Sequence, residues 1–172
     1  FDYDSYFARG MRFEMVTTDC HTGEACYMEE YNDRHRLIDI VKASASLPYV
    51  CPVCYVDERP MLDGGIVDSI PLERAISQGY EKNIVVLTRN KGYRKKEKII
   101  KHPSFVYHQY PQLRQALAMR NVLYNKQLEM IERMEDEGRI IVIRPERPIV
   151  VDRMERNVQK LTDLYNEGYA CA

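Results

Sequence analysis

Apolar and polar positions follow two rhythms along this chain, and the first part is dominated by the shorter one. Arg12 to Thr18 becomes apolar and β-branched toward its end, and Glu24 to Met28 forms a second strand-like run. The turn Asp19-Cys20-His21-Thr22-Gly23 between them predicts a β-hairpin. Asn32 and Asp33 then offer N-cap chemistry for a helix whose apolar positions Leu37, Ile40, Val41 and Ala45 recur at helical spacing. Pro48 disfavours helical geometry in the residue before it, so this helix should stop near Leu47. Val53 to Val56 and Pro60 to Leu62 flank the polar tip Asp57-Glu58-Arg59, which predicts a second hairpin ending in Asp63-Gly64-Gly65.

The longer rhythm takes over from Pro71, a first-turn proline followed by the apolar stripe Leu72, Ala75 and Ile76, with Gly79 as the stop. Asn83 to Thr88 is a nearly continuous apolar strand, a pattern that implies burial on both faces. Pro111 to Glu137 is the longest periodic segment, with Leu113, Ala116, Leu117, Tyr124, Leu128, Ile131 and Met134 along one side and Gly138 at its end. Arg139 to Ile143 reads as another strand. Asn157 can cap a last helix carrying Val158, Leu161 and Leu164, expected to stop near Gly168. Helix and buried strand joined by short links are the rhythm of an α/β sheet. With no internal repeat and no low-complexity linker, residues 1–172 are expected to form part of a single α/β domain.

Composition narrows the class. Among 172 residues, 45% are apolar and 30% charged, the balance of an ordinary globular protein. The formal net charge of −1 gives no global field for nucleic acid. Neither a bilayer-spanning apolar run nor a signal peptide is read. Five cysteines, an odd number at loose spacings, suggest reduced thiols and a cytoplasmic setting. The opening Phe1-Asp2-Tyr3-Asp4 lacks an initiator methionine and is read as the start of a cut chain.

The chemistry concentrates in Lys42-Ala43-Ser44-Ala45-Ser46-Leu47-Pro48 and in Asp63-Gly64-Gly65-Ile66-Val67-Asp68-Ser69-Ile70-Pro71. Asp63 ends a strand and precedes two glycines, which permit positive φ and a close approach of backbone to a neighbour. Such a carboxylate is well placed to meet a substrate or another side chain. The plainer alternative is a turn aspartate that bonds its own loop.

In its order of elements this stretch resembles the patatin-like phospholipase family, bacterial type. The resemblance rests on A-S-A-S-L-P, the D-G-G aspartate and the proline-initiated helix. It continues through Gly79-Tyr80, the strand Ile84 to Thr88 with Arg89, Lys91 to Lys96, the long helix and Ile141 to Pro145. It implies a three-layer α/β/α hydrolase fold and a Ser–Asp dyad acting on acyl esters of lipids, with no metal or cofactor. Asp63 would be the catalytic acid–base, with Gly64, Gly65 and Asp68 supporting its turn. Asp68 is alternatively a simple helix cap. The family's nucleophile sits in G-x-S-x-G, and a Gly-rich loop binds the oxyanion. Neither occurs in this sequence. The chain therefore reads as the C-terminal part of the fold, missing the N-terminal strands and the nucleophile elbow, and inactive alone. Open strand edges and uncovered apolar surface would favour self-association.

Other residues compete. Cys51-Pro52-Val53-Cys54 could join Cys20, Cys26 or His21 around zinc, or act as a redox pair, although no second cysteine pair stands at finger spacing. Arg89, Lys91, Arg94, Lys95, Lys96 and Lys98 could touch anionic headgroups in a peripheral membrane contact, or form a solvated loop. His102 and His108 follow Asp63 in the order of a Ser-Asp-His relay. Ser44 and Ser46 read as packing residues. A non-catalytic binding or regulatory module on the same half-fold is the remaining alternative.

Overall fold

The computed structural model describes residues 2–8, 10–96, 106–151 and 155–171, with the Cys171 side chain left undescribed. The first elements are α1 (Tyr3–Ala8), β1 (Met15–Asp19), β2 (Ala25–Met28), α2 (Arg34–Ser44), β3 (Cys54–Val56) and β4 (Arg59–Asp63). A 3-10 turn (Gly64–Ile66) follows, then α3 (Leu72–Ser77), β5 (Asn83–Val86), α4 (Pro111–Asp136), β6 (Ile140–Ile143) and α5 (Val158–Cys171). The architecture is mixed α/β, compatible with a patatin-like fold. It divides into two compact units, Phe1–Pro71 with Lys96–Tyr124 and Leu72–Lys95 with Asn125–Ala172.

The first unit is built on the two predicted hairpins. Asp19 closes the first: its buried carboxylate accepts the His21 amide at 2.7 Å, the Thr22 amide at 3.0 Å and the Arg59 guanidinium. Burial pushes this carboxyl up, but the Thr22 amide, Arg59 and the His21 amide together hold it below the usual carboxylate range. The second hairpin turns at Asp57-Glu58, where two non-glycine residues take φ of 50° and 63°. A two-residue loop needs this backbone to match the strand twist, and Arg36 grips the Asp57 carboxylate with two nitrogens at 3.0 and 2.8 Å. β1 pairs antiparallel with both β2 and β4, giving the order β2-β1-β4-β3 with Thr17 opposite Asp63.

Strand alternation sends Met61 and Leu62 to opposite faces. Met61 joins Met15, Met28, Leu37, Ile40, Ala43 and Val56, and Tyr3, Tyr6 and Phe7 pack against that group. Leu62 joins Cys20, Ile66, Tyr110, Leu113 and Leu117 at the start of α4. The sequence pattern did not announce α1, whose Tyr6 hydroxyl donates to the Glu30 carbonyl at 3.0 Å. In α2 the predicted Asp33 cap forms, accepting the His35 and Arg36 amides. The helix ends at Ser44, short of the expected Leu47, and its buried stripe is Leu37, Ile40 and Ala43, with Val41 turned to solvent.

The second unit pairs β5 and β6 in parallel, Ile84 opposite Ile141. Burial on both faces was expected for Asn83 to Thr88, and the structure corrects this. Val85, Leu87 and Ile140 are buried, but Ile84, Val86 and Ile141 are 65%, 71% and 63% exposed. The apolar run reflects one covered face and one open face. α4 spans Pro111–Asp136, one residue short of its predicted end, and Gly138 follows at φ 69°. α5 passes through Gly168 to Cys171 and leaves Val158, Leu161, Tyr165 and Tyr169 exposed. The basic loop is tied down in part. Arg94 pairs with Glu132 at 2.6 Å, Lys91 with Asp136 at 2.7 Å, and the Lys95 backbone exchanges two hydrogen bonds with the Asn125 amide. Lys98 lies outside the described residues.

Glu30 organises the entry to α2. It accepts the amides of Tyr31, Asn32 and Asp33 at 2.8, 2.8 and 2.9 Å and pairs with Arg36 at 2.8 Å. The Asp33 and Asn32 amides foremost, helped by Arg36, lower its pKa to about 2. A depressed carboxylate stabilises the fold above its ordinary pKa and loses that contribution as pH falls through the folded value. Glu30→Gln should therefore cost about 1–3 kcal/mol near neutrality. In urea unfolding at a series of pH values, its deficit against the wild type should shrink as pH falls from 4.5 toward about 2.

Candidate functional site

Asp63 stands at the last position of β4, half-buried, where the strand breaks into the 3-10 turn. Its backbone is fixed from two sides. The Asp63 amide donates to the Ser46 carbonyl at 3.0 Å, and the Asp63 carbonyl accepts the Thr18 hydroxyl at 2.9 Å. One carboxylate oxygen, Oδ1, accepts the Gly65 amide at 2.7 Å. Among the described residues the other oxygen, Oδ2, accepts no hydrogen bond. The turn-aspartate reading is thus realised in one oxygen, and the second is left for a partner. A carboxylate held this way can take a proton from an alcohol brought to Oδ2.

The two glycines serve approach rather than unusual φ. Neither Gly64 nor Gly65 has positive φ, contrary to one of the roles the sequence suggested. A methyl group on Gly64 would run into the Val16 carbonyl of β1 and stand 2.7 Å from the Val16 Cβ. On Gly65 it would stand 3.0 Å from Asp63 Oδ1. So Gly64 lets the turn lie flat on β1, and Gly65 leaves its amide bare for the carboxylate.

The rest of the turn is locked by side chains from three elements. Gly64 carbonyl accepts the Val67 and Asp68 amides at 3.1 and 2.9 Å. Asp68 Oδ2 accepts the Tyr27 hydroxyl of β2 at 2.6 Å, so this side chain ties the turn to the sheet four residues ahead of α3. Gly65 carbonyl accepts both the Ser69 hydroxyl at 2.8 Å and the Arg120 Nε of α4 at 2.9 Å. Sequence reasoning singled out Asp68 but missed Tyr27, Ser69 and Arg120. Arg120 did carry a signal: it falls between Leu117 and Tyr124 on the apolar stripe of α4, where a charge needs a buried acceptor.

The competing residues are placed elsewhere or differently employed. Ser44 Oγ donates to the Val16 carbonyl at 2.7 Å, and Ser46 Oγ to the Lys42 carbonyl at 2.9 Å while touching Cys54 Sγ at 3.0 Å. Cys20, Cys26, Cys51 and Cys54 are free thiols, and burial with the neighbouring Asp19 charge pushes Cys20 up to about 12. Among the described residues no group of His, Cys, Asp and Glu is arranged to hold a metal ion. His21 packs edge-on against Tyr110 with ring centroids 5.3 Å apart. His108 is exposed in the turn before α4, and His102 lies outside the described residues. No helix among the described residues is long and apolar enough to cross a membrane.

Comparison with known families meets this geometry at one point. Residues 21–76, which include Asp63, match the family model described as Patatin-like phospholipase. Residues 110–172 match a second model, Domain of unknown function (DUF6363). Among curated proteins, none matches the chain. The first match supports the patatin-like resemblance, and with it lipid acyl hydrolysis as the general class of activity. It is carried by the segment from the first hairpin to α3, a shorter stretch than the sequence resemblance drew.

Two substitutions test the turn. Gly64→Ala should cost about 3 kcal/mol, because the collision is with β1 backbone rather than with a movable side chain. Arg120→Met should cost about 1–3 kcal/mol by removing a charged donor from the Gly65 carbonyl, with Arg120→Lys recovering part of it. Chemical denaturation of the purified chain measures both.

Proposed function

We propose that this chain carries the acid–base half of a Ser–Asp dyad in a serine lipid acyl hydrolase of the bacterial patatin-like type. On this reading it is the C-terminal part of a three-layer α/β/α domain. The nucleophilic serine and the oxyanion loop lie on residues outside the sequence, which contains no G-x-S-x-G. The observation that carries the proposal is Asp63 itself. It sits at a strand end inside the patatin-like match, with Oδ1 pinned by the Gly65 amide and Oδ2 open.

The chemistry follows from that asymmetry. Asp63 Oδ2 accepts the serine proton as the serine oxygen attacks the ester carbonyl, and the tetrahedral intermediate collapses when Asp63 returns the proton to the leaving alcohol. The acyl-enzyme is then hydrolysed by a water that Asp63 activates in the same way. The amide at Oδ1 keeps the carboxylate from rotating between these steps. Gly64 and Gly65 keep the approach to it narrow and bare, and the Asp68–Tyr27 bond steadies the turn. No metal or cofactor is needed. The free thiols Cys20, Cys26, Cys51 and Cys54 support a cytoplasmic setting. Alone, the chain is inactive.

The open face of β5 and β6 and the exposed side of α5 support an incomplete fold. Apolar surface of that kind is normally covered, and in the isolated chain a second copy is the available cover.

A fluorophosphonate probe tests the dyad. A polypeptide containing both the serine and this chain should be labelled, and Asp63→Asn in it should lower turnover about 10²–10⁴-fold without unfolding it. Replacing His108 there should be nearly silent, whereas a histidine relay requires a loss as large as that of Asp63. The present chain should not be labelled, and ester hydrolysis by it would overturn the proposal. Sedimentation velocity should show self-association that grows with concentration and weakens in Ile84→Lys; a stable monomer would contradict the incomplete-fold reading.

A further inference from the structure

Gly65 has two duties that conflict. Its amide holds Asp63 Oδ1 at 2.7 Å, and it can carry no side chain there, since a Cβ would stand 3.0 Å from that oxygen. A residue without a Cβ also has the widest choice of φ and ψ. The position that must be bare is therefore the one least able to hold its own amide still. Whatever fixes it has to act through the other end of the residue, its carbonyl.

Two groups do so, and they are not equivalent. The Gly65 carbonyl accepts the Ser69 hydroxyl at 2.8 Å and Arg120 Nε at 2.9 Å, which fills both of its lone pairs. Ser69 lies four residues along the same segment, so its bond moves with the turn. Arg120 comes from α4, 55 residues away in sequence. Leu117 and Leu113, one and two helical turns before it, are buried with Leu62 of β4 and Ile66 of the 3-10 turn. The arginine is thereby fixed to the same core that carries the turn. Its guanidinium also lies over the bare α-carbon, with Nη2 3.8 Å from the point a Gly65 Cβ would occupy. Asp63 Oδ1 and the cation thus share one face of Gly65. A neutral donor would satisfy the carbonyl at a lower desolvation cost than this half-buried cation. What the arginine adds is a planar donor whose direction is set by α4.

We propose that Arg120 is a positioning residue for turnover. Through the Gly65 carbonyl it sets the angle at which the Gly65 amide holds Asp63 Oδ1, and so the aim of Oδ2 at the serine proton. This rests on the dyad reading above. It extends the site beyond the patatin-like match into residues 110–172, the segment of the second family match.

The test uses the polypeptide that contains both the serine and this chain, with a p-nitrophenyl acyl ester as substrate. Arg120→Gln should lower kcat about 10–100-fold and leave KM within about twofold, because misplacing a reacting group costs rate rather than affinity. Arg120→Lys should fall between Gln and the wild type, since an ammonium on a flexible stem bonds the carbonyl without fixing its direction. In an Asp63→Asn background Arg120→Gln should add about twofold or less, because a residue acting through Asp63 has nothing left to position. Near-ultraviolet circular dichroism checks folding, and if Arg120→Gln does not fold, Arg120→Lys carries the comparison. The inference is overturned if the variant that carries it keeps the wild-type kcat or loses only in KM. It is also overturned if the variant's effect multiplies with that of Asp63→Asn, as a purely structural role or an independent contact with substrate requires. Normal turnover by Asp63→Asn itself would sink the dyad reading and this inference together. Full activity of the Arg120 variant beside a disabled Asp63→Asn would sink this inference alone.

Discussion

The candidate site depends on one close approach, the backbone of Gly64 lying against the Val16 carbonyl of β1. No side chain fits between them. With the turn lying that flat, the Thr18 hydroxyl reaches the Asp63 carbonyl, and the carboxylate comes off the sheet beside the Gly65 amide. A Cβ at position 64 would lift the turn and separate all of these contacts at once. Tyr27, Ser69 and Arg120 hold the turn down from β2, from the turn's own continuation and from α4. On the proposed reading, the Gly65 amide that fixes Oδ1 leaves Oδ2 to take the serine proton.

Local chemistry was the legible part of the sequence. The Asp33 cap, the two hairpins and the run from Pro111 all follow from residues that act on their immediate neighbours, and they formed within a residue or a few of the expected places. What was not legible depends on distant partners. α1 is held by Tyr3, Tyr6 and Phe7 against a core assembled from five other elements, and nothing in its own pattern requires a helix. Asn83 to Thr88 reads the same whether one face or two are covered. The D-G-G turn could be located from sequence, but the reason for its first glycine is the carbonyl of a residue 48 positions away. Arg120 was visible only as an interruption in an apolar stripe.

The two units differ in how far they are finished. In the first, a four-stranded sheet has α2 on one side and the start of α4 on the other, and each face of the sheet carries a buried apolar cluster. In the second, two parallel strands and α5 keep apolar side chains in solvent. The division follows the two family matches only loosely, since α4 contributes to both units. On the proposed reading the patatin-like portion supplies the acid, and the remaining surfaces await the rest of the domain.

The central claim is that Asp63 Oδ2 receives the proton of a serine hydroxyl. A crystal structure of the polypeptide that joins this chain to the segment bearing the nucleophile measures it directly. The account predicts a serine Oγ about 2.6–3.2 Å from Asp63 Oδ2, with the Gly65 amide still on Oδ1. A serine that instead meets a histidine, or an Asp63 turned away from every surface that segment covers, would contradict it.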